Sequence, residues 1–285
     1  MNVLWGLTTA LCWGGADFIA RFTGHALGSQ VALFGMLSVG AVIMTALVWI
    51  SDVPLVWTLD GWWLIVLTGV GVMVATLLLY YGLVRGPVTV VAPIVGSYPA
   101  FNVALALLLG ARPSVVQWLA MIAVMTGVII VAASASGSNT RQVYARDQLR
   151  RTIAIALAAA FGFALTVAAA QYAKPIYGEL QTVWMARWVS LLIAVSVLAW
   201  QRTVPYLPMR WWPLLILQGL LDAGAYLALL AGSHGENNEI TAVIASAFSA
   251  VTVLLAWLIL REAMTWRRWS GVALIICGVA VLSIH

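Results

Sequence analysis

AFSAVTVLLAWLILREAMTWRRWSGVALIICGVAV, residues 247–281, lies over GSYPAFNVALALLLGARPSVVQWLAMIAVMTGVII, residues 96–130, when the chain is shifted by 151 residues. The shift carries Trp118 onto Trp269, Gly127 onto Gly278, Leu109 onto Leu260 and Ser114 onto Thr265. Each stretch is a pair of apolar runs joined by a short polar connection. The same plan written twice, half a chain apart, implies a duplicated architecture. The first runs of the halves match more weakly, with Trp13-Gly14-x-Ala16 over Phe161-Gly162-x-Ala164.

Composition says what these runs are. The 285 residues are 64% hydrophobic and 8% charged, and the mean hydropathy is +1.03. A soluble domain carries about 25% charged residues, so this chain cannot clothe a globular surface in polar groups and its exterior must face lipid. About 20 apolar residues cross a bilayer as a helix. Breaks at polar, Pro and Gly clusters predict ten such segments: 3–21, 30–50, 61–83, 88–109, 115–134, 151–172, 181–200, 210–231, 240–260 and 268–284. A barrel would need short alternating strands, and these runs are long and continuously apolar. The expected fold is an all-α integral membrane protein of ten transmembrane helices in two five-helix repeats, 1–134 and 151–285, joined by a polar connection at 135–150. An odd number of spans per repeat inverts the second repeat in the membrane. Inverted repeats are a common plan of secondary transporters, with the solute site near midplane at the repeat interface.

Several function classes lose support. The net charge of +5 and pI near 9.6 come from arginines in turns between spans, which topology explains better than nucleic acid does. Cys12 and Cys277 lie in apolar runs without metal or redox spacing. No phosphate-binding loop or nucleophile elbow occurs, and no cofactor is expected. His234, Glu236 and Glu239 in AGSHGENNEI, residues 231–240, read as a solvated turn rather than a metal set. No cleavable leader is expected, because the N-terminus lacks a basic region and Asp17 interrupts the first run. The expected setting is a cell membrane. The expected partners are lipid, a small-molecule solute and coupling protons, with the chain a monomer or a homodimer.

SAFSAVTVLLAWLILREAMTWRRWSGVALIICGVAVL, VVAPIVGSYPAFNVALALLLGARPS and WGGADF together resemble EamA-type transporters of the drug/metabolite transporter superfamily, over nearly the whole chain. The resemblance implies ten helices in two repeats and transport of amino acids or other small metabolites without ATP. Two positions depart from the family pattern. The glycine-glutamate that usually closes the fourth helix is Gly110-Ala111, whereas the second repeat keeps Glu262 behind Arg261; and Ser249 stands where a proline is expected in the ninth helix.

Cytoplasmic connections favour Lys and Arg. The odd-numbered connections hold Arg21, Arg85, Arg141, Arg146, Arg150, Arg151, Arg202, Arg210, Arg261, Arg267 and Arg268; the even-numbered ones hold only Arg112 and Lys174. This bias places the odd connections in the cytoplasm and both termini outside, whereas the resemblance implies termini inside.

Residues four apart share a helix face. Trp13, Asp17 and Arg21 form one stripe on the first span, and Gln218, Asp222 and Tyr226 another on the eighth. The fourth span offers Tyr98 and Asn102, the third Tyr80 beside Tyr81, the sixth Gln171 and Tyr172, and the seventh Trp184, Arg187 and Trp188. Intramembrane charges mark functional sites by default. Asp222, nearest midplane, and Asp17 are expected to bind a cationic group or carry a proton. Asp17 pairing with Arg21 is the structural alternative. Arg187 would either hold a solute carboxylate or neutralise an aspartate. Tyr226, Trp13, Trp184 and Tyr98 would give aromatic walls suited to an ammonium group. The expected function is a secondary active transporter, not an enzyme, moving an amino-acid-like or cationic metabolite by alternating access. A passive channel or a membrane-embedded enzyme acting on lipid is the competing class. Gly82 and Gly86, in GxxxG spacing, are expected to permit close helix packing.

Overall fold

The computed structural model describes residues 2–108, 114–135, 145–202, 204–233, 241 and 244–284. Its α-helices are α1 (Asn2–Leu27), α2 (Ser29–Ile50), α3 (Trp62–Arg85), α4 (Val88–Gly96), α5 (Tyr98–Leu108), α6 (Val115–Ala135), α7 (Arg146–Tyr177), α8 (Glu179–Trp200), α9 (Trp212–Ser233), α10 (Phe248–Ile259) and α11 (Trp266–Ile284). Among the described residues there is no strand, and eight helical segments are long and apolar enough to cross a bilayer. The AGSHGENNEI turn, Arg112, Arg141 and the Gly110-Ala111 pair fall at least in part outside the described residues.

Lipid forces the backbone to satisfy itself, so spans lengthen until a residue can end them. The first span therefore continues past Arg21 to Leu27, and a single glycine, Gly28 at φ 84°, turns the chain into α2. Polar residues after Arg21 do not end the helix because neighbouring helices absorb them: Thr23 donates to Gln218 Oε1 at 2.9 Å. The sixth span likewise runs from Arg146 to Tyr177, beyond the expected 151–172, and ends at Gly178, φ 78°. Both glycines occupy the left-handed half of φ space, where a side chain would be strained.

The fourth span is two helices. Pro99 has no N–H to continue the ladder, and the chain breaks at Ser97, whose hydroxyl donates to Ile94 O at 2.6 Å. The ninth span breaks too, with helical residues 244–245, a turn at 246–247 and then α10. No proline stands there; packing compensates. A β-carbon at Gly96 would lie 2.6 Å from Ser249 Cβ, so one broken span seats its kink on the other.

Contacts between helices are exchanged by the repeat symmetry. α1 packs on α9 as α7 packs on α3, α2 on α9 as α8 on α3, and α1 on α10 as α7 on α4, while α6 and α11 form a pair of their own. Single residues repeat the relation. A β-carbon at Gly69 would meet Val189 Cβ at 2.6 Å, and one at Gly219 would meet Val39 Cβ at 2.6 Å. In the outer pair, a β-carbon at Gly127 would lie 2.7 Å from Gly271 O and one at Gly278 would lie 2.9 Å from Ala120 O. Glycine clears these positions so that backbones can close on each other. The correspondence runs at 151 residues through the last two spans of each repeat, as the sequence indicates. Through the first three it runs at 150, which puts Gly28 on Gly178 and Asp52 (φ 47°) on Arg202 (φ 52°). That corrects the pairing of Trp13 with Phe161: the partner of Trp13 is Phe163 and that of Asp17 is Val167.

Candidate functional site

A cavity of about 290 Å³ lies at the repeat interface, between α1, α3, α4, α7, α8 and α9. At 1.5 Å per residue, Asp17 is about 22 Å along α1 from Asn2, so the floor of the cavity is well inside the bundle. From Asp17, Tyr80 and Leu79 the cavity widens to Gln171, Lys174 and Glu179 at one end. There Lys174 Nζ and Glu179 Oε1 pair at 2.6 Å across Gly178, with side chains 40% and 31% exposed.

Three charges sit deeper, and the helices pair two of them. Arg187 Nη2 meets Asp222 Oδ2 at 2.5 Å, in a bridge of 3% and 14% exposure. The guanidinium also lies 5.4 Å over the Tyr226 ring and donates to Met36 Sδ at 3.6 Å. Gly40 on α2 lies beneath it, where a β-carbon would rest 3.7 Å from Arg187 Cζ, in ordinary contact. Burying one charge demands the other: Asp222 is the partner that lets Arg187 stay at midplane. Asp17 has no such partner. Among the described residues no hydrogen bond or ion pair engages it. The expected alternative, a pair with Arg21, is not made; Arg21 donates to Leu83 O at 2.6 Å and to Gly86 O at 2.7 Å, away from the cavity. With two ion pairs neutral, the cavity holds one carboxylate in excess.

Aromatic rings surround that carboxylate. Trp13, one turn before Asp17, stands edge-on to Tyr226 at 5.2 Å and to Phe248 at 6.1 Å, and Tyr98 meets Phe163 at 6.3 Å. All five rings line the cavity. Of the residues expected there, Trp13, Asp17, Tyr80, Tyr98, Arg187, Asp222 and Tyr226 are brought together. Gln218 is behind the wall, fully buried, donating to the Tyr80 hydroxyl and accepting from Thr23; it fixes Tyr80. Trp184 and Asn102 stand elsewhere. Trp184 faces α2, its indole N–H on Thr45 Oγ1 at 3.0 Å and its ring 6.4 Å from Trp57. Asn102 is one turn beyond Tyr98, outside the lining, and its Oδ1 is buried without a partner. Helical spacing put Asn102 on Tyr98's face, and both stand on α5, but only Tyr98, in its first turn, reaches the lining. Phe163 and Phe248 were legible only through the repeat: they fall opposite Trp13 and beside the second kink.

The other end of the bundle, rich in arginine, is shut. Glu262 accepts from Val88 N and Thr89 N, both at 2.9 Å, and from Thr89 Oγ1 at 2.7 Å, capping α4. Gln148 on α7 donates to Arg85 O at 2.8 Å. Arg268 donates to Ala263 O at 2.7 Å and reaches Thr89 Oγ1 at 3.5 Å. With the two Arg21 bonds, these contacts fix the α3–α4 corner from three sides. Gly82 and Gly86 sit within it, packed on Val91 and Thr152.

A model of the EamA-like transporter family matches residues 1–133 and 150–284. No curated protein matches the sequence. Among solved structures, one crystal structure superposes with a TM-score of 0.66 at 16% identity, covering 98% of this chain and 95% of its own. At that identity the likeness concerns the fold.

Proposed function

The chain belongs to the EamA-like transporter family and is a multi-pass membrane transporter; on that premise we propose that it is a secondary transporter of a small organic cation. The observation that carries this is the unpaired Asp17 in a cavity whose other deep carboxylate is already neutralised by Arg187. A carboxylate in an apolar surround needs a counter-charge, and a ring of Trp and Tyr faces favours an ammonium group. An amino acid fits less well. Its carboxylate would need a free cation, and both cations lining the cavity, Arg187 and Lys174, are committed to acidic partners.

Transport proceeds by alternating access, with the two repeats rocking about the cavity. The cavity of this state connects to the arginine-poor end, and the charge bias makes that end the outside. When the solute leaves, Asp17 needs another counter-ion, and a proton is the smallest available; cation–proton exchange follows from one carboxylate serving both. The test is uptake and binding by Asp17→Asn in liposomes. Loss of cation binding by about 30-fold or more, on the scale of an abolished buried charge contact of at least 2 kcal/mol, is expected. Unchanged cation transport and unchanged proton flux in Asp17→Asn would remove the proposal. A C-terminal reporter fusion that reads cytoplasmic would reverse the orientation.

A further inference from the structure

The repeat correspondence shows that the cavity is two unlike walls built on one scaffold. On one side stand Asp17, Arg187, Asp222 and Tyr226; their counterparts in the other repeat are Val167, Leu37, Val72 and Thr76. Val72, Thr76 and Val167 line the same cavity as the charges, beside Leu79, Phe163 and Ala170. Two of the three threonine hydroxyls on this second wall are spent within their own helices. Thr68 donates to Leu64 O at 2.7 Å and Thr166 to Gly162 O at 2.8 Å, each within its own helix, which leaves their methyls to the cavity. The aromatic position is kept on both sides, as Trp13 and Phe163, and so is a leucine, as Leu79 and Leu229.

We infer that the solute is amphipathic: one ammonium group held at Asp17 and an apolar alkyl or aryl body laid against α3 and α7. This rests on the cation reading of Asp17 above. A second cationic charge on the solute would be stranded, because the α3 and α7 residues of the lining include no acidic group and desolvating a charge against Val72, Val167 and Phe163 is costly. A very small cation would leave that wall wet and gain nothing from it.

The experiment is a binding series read by thermal stabilisation of the purified protein. The probes are primary amines from ethylamine to hexylamine, 2-phenylethylamine, the α,ω-diamines of matching length, and 2-phenylethanol, each compared with the Asp17→Asn variant to subtract partition into detergent. Each added methylene is expected to tighten binding about fourfold, with each diamine weaker than its monoamine and 2-phenylethanol silent. A flat length series, or diamines equal to monoamines, overturns the amphipathic solute while leaving the cation reading standing. Binding of 2-phenylethanol as tight as the amine overturns the cation reading itself. Val167→Asp supplies the independent arm. A carboxylate on the apolar wall should reverse the order and favour diamines, and retention of the wild-type order in a folded Val167→Asp protein counts against the two-wall geometry.

Discussion

The two ends of the bundle are made from corresponding segments and behave differently. At the arginine-rich end, side chains from α1, α7 and the segment before α11 bond to backbone groups of the α3–α4 corner, the last two across the line between repeats. At the other end the bonds between repeats hold the α2–α3 connection instead, and they come from neutral side chains. Tyr177 donates to Thr58 O and Asp60 O, and Gln181 bonds both backbone groups of Val56, tying the α2–α3 connection to α7 and α8. Among the described residues, the partly exposed Lys174–Glu179 ion pair sits at the mouth. The reason is readable residue by residue. The counterparts of Arg21 and Glu262 are Gln171 and Ala111, so the open end has neither the cation nor the carboxylate with which its twin is laced. Corresponding segments thus hold the two ends unequally, and substitutions at a few positions, Arg21 against Gln171 and Glu262 against Ala111, make the difference.

The largest expected effect belongs to neither end. Arg187→Met strands Asp222 in the bundle and should destabilise the protein by about 3–5 kcal/mol, whereas Arg187→Met with Asp222→Leu should recover most of it; melting of the three proteins decides. Next comes the laced end. Glu262→Ala leaves two amides and a hydroxyl of α4 unpaired, a change of about 2–4 kcal/mol. In a background without Cys12 and Cys277, the labelling of Thr152→Cys by an impermeant maleimide from the arginine-rich side should accelerate by at least about 30-fold. Arg21→Met should move the same rate in the same direction by about tenfold, because water can replace part of what two carbonyls lose. The smallest effect is at the mouth: Lys174→Ala breaks a partly exposed pair worth about 0.2–1 kcal/mol and should change binding by less than about fivefold, an effect that fades as salt rises. If Lys174→Ala matched Glu262→Ala, the two ends would be equally held and the contrast between them would fail.

The spans and the duplication were legible because lipid imposes a length and a hydrophobicity on every crossing, and the Trp118/Trp269 and Gly127/Gly278 pairs preserved the register. Most of the cavity was legible too, since charge inside a span is rare enough to stand out. Partnership was not. Arg187 and Asp222 lie on different helices, and nothing in their spacing says that Arg187 takes Asp222 and leaves Asp17 alone. Met36, whose sulfur accepts from the guanidinium, lies on α2, a third helix. The break in the ninth span also escaped, because no proline marks it; Gly96 lies close against Ser249 just beyond it. Asn102 and Trp184 show the limit of helical spacing: it assigns a face, and packing decides what that face sees.

Gly28 and Gly178 set one more condition. Consecutive Cα atoms are 3.8 Å apart, so one residue between two helices is a leash of about 7.6 Å. The end of α1 cannot drift from the start of α2, nor α7 from α8. Whatever parts at the arginine-rich end must therefore part elsewhere than between the first two helices, leaving the seam between that hairpin and the α3–α4 corner. At the opposite end α7 and α8 stay knotted together as a fixed doorpost.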